Sequence, residues 1–430
     1  MIYLDYSATS PLLPSVAEKM KEIIDASVEG RLGNPSSLHS AGVFSKNLLE
    51  TAREQVASLL NCSPEEIIFT SGGSESNNTV IRSFENSPIL ASEIEHPSVL
   101  EPAKRFGGPF LAIPVDNLGR INIDFVEKHL KTYLHSKTEQ NRQKTEQTQK
   151  NLKNHKKNTQ NPVEPPKKIL ISVMLANNET GVLEPISELT NLVEKYRNQG
   201  LPVFLHADAT QALGKIDINL QELKVDYLTC SSHKIGGPVG IGALFARNSA
   251  PFSPLIFGGA QEKKRRAGTS NILLASGFGE AARIAKEKNT PLLFEASVRP
   301  LKSYLESELK KLHKNLRVLT PSSPELSLPN ILNVSISSVE GESTQLYLDL
   351  EKIAVSTGSA CASGDIAPSH VIMAITSDPE IAHDSVRFSL GLDTKKSDIE
   401  TLLEKLPPII SRLEDLSTLK PTIQKKLKNP

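Results

Sequence analysis

Six short apolar runs recur through the middle of the chain, each bounded by turn residues: "EIIFT", "PILAS", "KKILISVML", "VFLHADA", "DYLTCSS" and "GIGALFA". Helix-like stretches alternate with them. "SVAEKMKEIIDASV" and "SKNLLETAREQVASLL" carry apolar residues three and four apart, the spacing that lines one face of a helix. Strands alternating with helices imply βαβ units around a mostly parallel sheet. The expectation is an α/β fold with a large domain over residues 15–260. From 261 the pattern changes to longer helical stretches, "NILLASGFGEAARIAKEK" and "VRPLKSYLESELKKLH", then to the strands "NILNVSI" and "VRFSLG". Residues 261–430, with 1–14, read as a smaller α+β domain. Its last helical region, 398–415, is expected to be broken by "PP".

One segment departs from this pattern. Residues 135–168, "HSKTEQNRQKTEQTQKNLKNHKKNTQNPVEPPKK", hold almost nothing apolar. Such a stretch cannot bury enough surface to offset its ordering entropy, so a disordered surface insertion is expected. It contains nine Lys and Arg against three Glu, in a chain whose basic and acidic residues balance at 49 each. Removing that surplus leaves a mildly acidic body. A tolerated loop expansion is favoured over a basic tether for an acidic partner or RNA.

The balanced charge shows no bias toward nucleic acid or a membrane surface. No apolar run approaches the ~20 residues that span a bilayer. "MIYLDYSATS" lacks the charged and apolar regions of a signal peptide. Cys62, Cys230 and Cys361 are odd in number and widely spaced, which argues against a disulfide framework or a zinc site and for a reduced, cytoplasmic protein.

Three features carry chemistry. In "CSSHKIGGPVGIGAL", Lys234 follows an apolar strand and precedes a Gly-rich turn. Small apolar neighbours can desolvate an amine and suit it to bond a carbonyl carbon, although most lysines are solvated surface groups. In "FLHADATQALGK", Asp208 ends a strand 26 residues earlier, the length of a strand–helix–strand unit, so both residues should emerge at one sheet edge. A pyridoxal phosphate site needs an aspartate for the ring nitrogen and a lysine for the aldehyde carbon. Read alone, Asp208 could equally be a helix cap. In "IIFTSGGSESNN", a strand, a Gly-rich turn and a helix start follow one another, the arrangement whose backbone N–H groups bind phosphate. It matches neither GxGxxG nor the P-loop.

Taken together, these residues resemble the cysteine desulfurases of the NifS/IscS type, fold-type I pyridoxal phosphate enzymes of class V. The resemblance covers everything except 135–168. Its anchors are "YLDYSAT", "GNPSSLH", "FTSGGSESNN", "SEIEHPSV", "NNETGV", "HADATQ", "SSHKIGGPVGIGAL", "RAGTSN", "PNILNVS", "STGSACASG" and "VRFSLG". It implies that Lys234 bonds the cofactor, that His96 stacks on its ring and that Asp208 pairs with the ring nitrogen. Asn178 and Gln211 would bond around the phenolic oxygen. Gly73, Ser74, Ser231 and His233 would cup the phosphate, with Thr269 completing the cup from the other subunit of a homodimer. Asn34 and Arg387 would clamp the carboxylate of L-cysteine. Cys361 resembles the catalytic cysteine that takes the sulfur as a persulfide, and it could serve as a transient iron–sulfur ligand with a scaffold partner.

The chain departs from the family pattern at Gly73-Ser74, where Ala-Thr is usual, at Ser232, where Gly is usual, and at Lys263, where Arg is common. The spacing from Cys361 to Arg387 is similar to the long-loop branch, which implies delivery of sulfur to an iron–sulfur scaffold, a tRNA-thiolation enzyme, or both. A selenocysteine lyase, another class V aminotransferase and a non-catalytic binding relative stand as alternatives. Cys62 and Cys230 read as packing residues, and His39, His206 and His383 as structural histidines.

Overall fold

The computed structural model describes the backbone of residues 1–151, 168–357 and 368–428, and the side chains of the same residues apart from 139–151 and 417–428. After a two-residue strand, β1 (Ile2–Tyr3), the chain builds its main sheet. The strands are β2 (Ile67–Thr70), β3 (Ile89–Ser92), β4 (Phe110–Ile113), β5 (Ile169–Ser172), β6 (Val203–Asp208), β7 (Tyr227–Ser231) and β8 (Gly242–Ala246). Their order is β2-β8-β7-β6-β5-β3-β4. Only β8 runs antiparallel to its neighbours, and the other pairings are parallel. Sheets covered on both faces need strands apolar on both sides, and β2, β3, β5 and β7 are buried along their whole length. The edge strand β4 is half-exposed and carries a weaker sequence signal.

Because β2, β3, β5, β6 and β7 share one direction, their C-terminal ends meet at one edge. That edge receives Gly73, His96, Asn178, Asp208 and Lys234. The register sets Asp208 beside Thr229, and Ser172 beside His206.

Four further strands make two smaller sheets: β9 (Leu316–Val318), β10 (Ile331–Ile336), β11 (Ile353–Ala354) and β12 (Ser385–Ser389). The antiparallel order is β12-β10-β9, and β1 pairs in parallel with β11. Leu4, Val334, Val355, Phe388, Leu390 and Leu406 share a second apolar core. The helix Ile272–Glu287 lies beyond the expected boundary at 260, yet its Ala275, Phe278 and Ala282 belong to the core of the main sheet. It packs on the helix Ser40–Leu60 so closely that a Cβ on Gly279 would lie 2.6 Å from the Ala52 Cα.

Two expectations need correction. The helix starting at Ile123 continues to Asn151, so residues 135–151 are helical rather than disordered. Val126 and Leu130 are buried and anchor its first turns. Lys, Gln and Glu are adequate helix formers, and extending a nucleated helix is far easier than starting one. Polar composition ruled out burial, not helix. The remainder of the insertion lies outside the described residues. The C-terminal helix runs from Lys396 to Lys428 without a break at Pro407-Pro408. An internal proline costs a helix about 3 kcal/mol. Here Ile399, Leu402, Leu406, Ile409, Ile410 and Leu413 all face the second core, and their burial outweighs that cost. Among the described residues, no helix is long and apolar enough to cross a membrane.

Candidate active site

A cavity of about 280 Å³ opens at the C-terminal edge of the main sheet. Its wall includes Gly73, Ser74, His96, Asn178, Asp208, Gln211, Ser231, His233, Lys234 and Arg387. Ten of the residues singled out from the sequence therefore meet there.

Asp208 ends β6 and is held on both oxygens. Asn77 Nδ2 donates to Oδ2 at 2.7 Å, and the Thr210 N–H donates to Oδ1 at 2.9 Å. Asn77 also donates to Ser98 Oγ at 2.9 Å. Ser98 lies 2.7 Å from His96 Nδ1, and its backbone N–H donates to the same nitrogen at 3.1 Å. A nitrogen that accepts from a backbone N–H carries no proton, so the ring proton of neutral His96 sits on Nε2. Burial lowers the His96 pKa, with Lys234 and His370 adding to the effect against the opposing pull of Asp208. The imidazole is thus neutral near pH 7.

Lys234 follows β7 in a short helical turn, Ser232–Ile235. Its Nζ donates to the carbonyls of Ser7 and Ala8 at 2.5 and 2.7 Å. Gln211 Nε2 donates to the same Ser7 carbonyl at 2.9 Å. Burial, aided by the charges of Lys234 and Lys215, lowers His233 to about 4, and its Nδ1 lies 3.1 Å from Thr9 Oγ1.

The helix Gly73–Ser83 begins at the cavity wall. The first N–H groups of a helix have no intrahelical partner and favour an anion. A Cβ on Gly73 would lie 3.1 Å from Thr210 Oγ1, so any larger residue would narrow the cavity at this point. Across the cavity, Arg387 Nη1 donates to Asn178 O and Nη2 to Asp5 Oδ1, both at 2.9 Å, while its buried Nε has no hydrogen-bond partner among the described residues.

The class-V aminotransferase family model matches residues 2–140 and 134–402. The cysteine desulfurase IscS of Dictyoglomus turgidum is 39% identical, with 97% of each chain covered. Cysteine desulfurase IscS 1 of Archaeoglobus fulgidus is 35% identical over 97% of this chain and 99% of its own. The X-ray structure of a NifS-like protein from Rickettsia africae superposes with a TM-score of 0.79 at 31% identity, covering 95% of this chain and 99% of that one. The chain belongs to the class-V aminotransferases, among the cysteine desulfurases of the NifS/IscS type.

Enzymes of this family use pyridoxal phosphate, and the cavity suits it. A helix start and hydroxyls line one part, a fixed carboxylate and an amine line others, and Met174 and Ala176 add apolar wall. Five buried polar atoms on this wall lack partners among the described residues: Ser7 Oγ, Asn77 Oδ1, Thr210 Oγ1, Gln211 Oε1 and Arg387 Nε. A polar ligand offers what buried groups of this kind require.

Two expected residues lie away from the cavity wall. Asn34 is exposed and its Oδ1 accepts from the Ser36 N–H at 2.9 Å. Thr269 is exposed. Cys361 lies outside the described residues. Both flanks of its segment are described. On the upstream side Ser356 exchanges backbone bonds with Arg387, N–H to O at 3.2 Å and O from N–H at 2.7 Å. On the downstream side Ser369 Oγ donates to Glu179 Oε2 at 2.5 Å, and His370 Nε2 bonds Glu95 O at 2.9 Å.

Sequence reasoning missed Asn77, Ser98, Thr210 and Ser7. All four sit within motifs already quoted, Asn77, Ser98 and Thr210 one to four residues from a chosen residue, but nothing in their spacing says which way a side chain faces. Ser7 is brought in only by the tertiary fold. His206 bonds Ser172 Oγ and Thr229 Oγ1 through its two nitrogens, at 2.8 and 3.0 Å, which is the structural role expected of it. Burial pushes the Cys62 thiol up to about 12 and Cys230 well above its ordinary value, so neither is an available thiolate.

Proposed function

We propose that this chain converts L-cysteine to L-alanine and carries the sulfur as a persulfide on Cys361. The observation that carries this reading is the convergence of Lys234, Asp208, His96 and Arg387 on one cavity with a helix start in its wall. Pyridoxal phosphate, when bound, withdraws electrons from the Cα of an amino acid.

The chain's own residues supply the rest. Lys234 would hold the cofactor, and its Nζ would take the Cα proton of the substrate. Asp208, fixed by Asn77 and Thr210, keeps the ring nitrogen protonated. Gly73, Ser74, Ser231 and His233 bind the phosphate, joined by Thr269 of a second copy in a homodimer. Asn178 and Gln211, both in the cavity wall, would hold the phenolic oxygen. Arg387, with Asn34, orients the substrate carboxylate, and its unpartnered Nε is available for a bidentate contact. Neutral His96 would stack on the ring and exchange a proton from Nε2 with the reacting atoms.

The Cys361 thiolate then attacks the substrate sulfur. An S–S bond forms and the substrate C–S bond breaks. The electron pair of that bond stays with the three-carbon product, which takes up protons to become L-alanine. A free thiol has a pKa near ~8.5, so a neighbouring base or cation must help ionise Cys361. The acceptors proposed for the persulfide are an iron–sulfur scaffold and a tRNA-thiolation enzyme, in the reducing setting of the cytoplasm.

The test is purified protein reconstituted with pyridoxal phosphate and given L-cysteine. Alanine and a protein-bound persulfide are expected in equal first-turnover amounts. Cys361→Ala should lose the persulfide. Lys234→Ala should lose the yellow absorbance of lysine-bound cofactor and slow alanine formation by about 10²–10⁴-fold. Alanine without a persulfide in the wild-type protein would favour a different class V reaction.

A further inference from the structure

Glu179 stands between two parts of the site. The residue before it, Asn178, lines the cavity and accepts from Arg387 at 2.9 Å. Its own carboxylate, 3% exposed, accepts from Ser369 Oγ at 2.5 Å. Ser369 is the second described residue after the segment that carries Cys361, and it caps the helix His370–Thr376 by accepting from the Ile372 N–H. The Glu179 backbone is fixed in turn: its N–H donates to Asn177 Oδ1 at 2.8 Å, and its carbonyl accepts from Asn333 Nδ2 at 3.2 Å. His370 makes a parallel attachment one residue on, to the carbonyl of Glu95, which precedes His96. The upstream flank is tied to the backbone of Arg387. The chain thus re-enters the fold pinned to the sequence neighbours of two cavity residues.

We propose that the Ser369–Glu179 hydrogen bond is a positioning contact for sulfur abstraction, fixing the downstream root of the Cys361 segment beside Asn178 and Arg387. This rests on the desulfurase reading above. Neither residue lines the cavity, so neither is a catalytic residue; each acts through the placement of Cys361.

The contact has a pH dependence of its own. Burial pushes the Glu179 carboxyl up to about 7, against the pull of the Ser369 bond and the Arg387 charge. The charged group facing it is Arg387 from β12, with neutral Ser369 and Asn333 from the other packed elements and His370 one residue beyond. Above pH 7 the carboxylate accepts a charge-assisted bond from Ser369. Below pH 7 the neutral acid is a weaker acceptor.

The experiment follows single-turnover persulfide formation from L-cysteine in reconstituted enzyme between pH 6 and 9. Cofactor occupancy and the spectral change on cysteine binding are recorded alongside. Ser369→Ala should slow persulfide formation at saturating cysteine by about tenfold, the loss expected for one hydrogen bond to a charged group, with occupancy and KM little changed. Ser369→Thr, which keeps the hydroxyl, should restore most of the rate. Glu179→Gln keeps an acceptor that cannot ionise, so the wild-type to variant rate ratio should rise through about pH 7.

An unchanged rate in Ser369→Ala would overturn the proposal. So would a loss that tracks cofactor occupancy or KM, because that marks a merely structural role. A flat wild-type to Glu179→Gln ratio would overturn the positioning contact's pH dependence. Wild-type enzyme that binds the cofactor but makes no alanine would overturn the desulfurase reading itself, a different result from wild-type activity with indifferent variants.

Discussion

Asn77 donates its side-chain amide to Asp208 at 2.7 Å, tying the helix that starts at Gly73 to the end of β6. One residue thereby links the proposed phosphate cup to the proposed ring-nitrogen partner. Its Oδ1 has no partner among the described residues, so its orientation is set by the two bonds its nitrogen donates, to Asp208 and Ser98.

Asn77→Ala should leave Asp208 buried with one neutral donor, the Thr210 N–H. Losing a hydrogen bond to a buried charge costs about 1.5–3 kcal/mol. Cofactor affinity should fall by about tenfold or more, measured by titrating apoprotein with pyridoxal phosphate, and the circular dichroism of the bound cofactor should change. An unaltered affinity would remove Asn77 from the positioning of Asp208.

Arg387→Lys keeps the charge but loses the planar fork that spans Asn178 and Asp5. The expected outcome is a rise of about tenfold or more in KM for L-cysteine with cofactor occupancy preserved. Steady-state alanine assays at several cysteine concentrations separate the two.

Lys215 concerns the far side of the site. Its Nζ is buried and donates to Gln211 O at 2.8 Å, while the Gln211 side chain shares the Ser7 carbonyl with Lys234. Burial, then the charge of Lys234, lower Lys215 to about 7. Lys215→Met keeps the bulk and removes the clamp. Cofactor should dissociate several-fold faster on dilution, and Lys215→Arg should recover part of the loss.

Glu184 gives a stability prediction. Burial raises its carboxyl to about 8 against the opposing effects of the Ile121 N–H and Arg120. A carboxyl whose folded pKa is raised contributes stability that is full below its unfolded value, near 4.5, and is lost as pH rises through 8. Glu184→Gln cannot ionise, so its Tm relative to wild type should climb between pH 5 and 8.5. The range corresponds to a few kcal/mol at most, on the order set by a 1.4 kcal/mol cost per pKa unit. A Tm difference independent of pH would mean that Glu184 ionises normally in the folded protein.

What the sequence determined by itself follows from local rules. The apolar runs had to be buried strands, and their alternation with helices had to make a parallel sheet whose ends converge. That convergence is why Asp208 and Lys234, 26 residues apart, could be assigned to one edge before any coordinates. Family motifs then supplied His96, Asn178 and Arg387. Tertiary structure decided the rest, because those outcomes depend on what lies across a gap in sequence. Asn77 reaches Asp208 over 131 residues and Glu179 meets Ser369 over 190, contacts that no spacing encodes. The same reason explains Pro407-Pro408 and residues 135–151. Local propensity pointed to a break in one and disorder in the other. A buried apolar face carried the first helix through, and the buried first turns at Val126 and Leu130 extended the second.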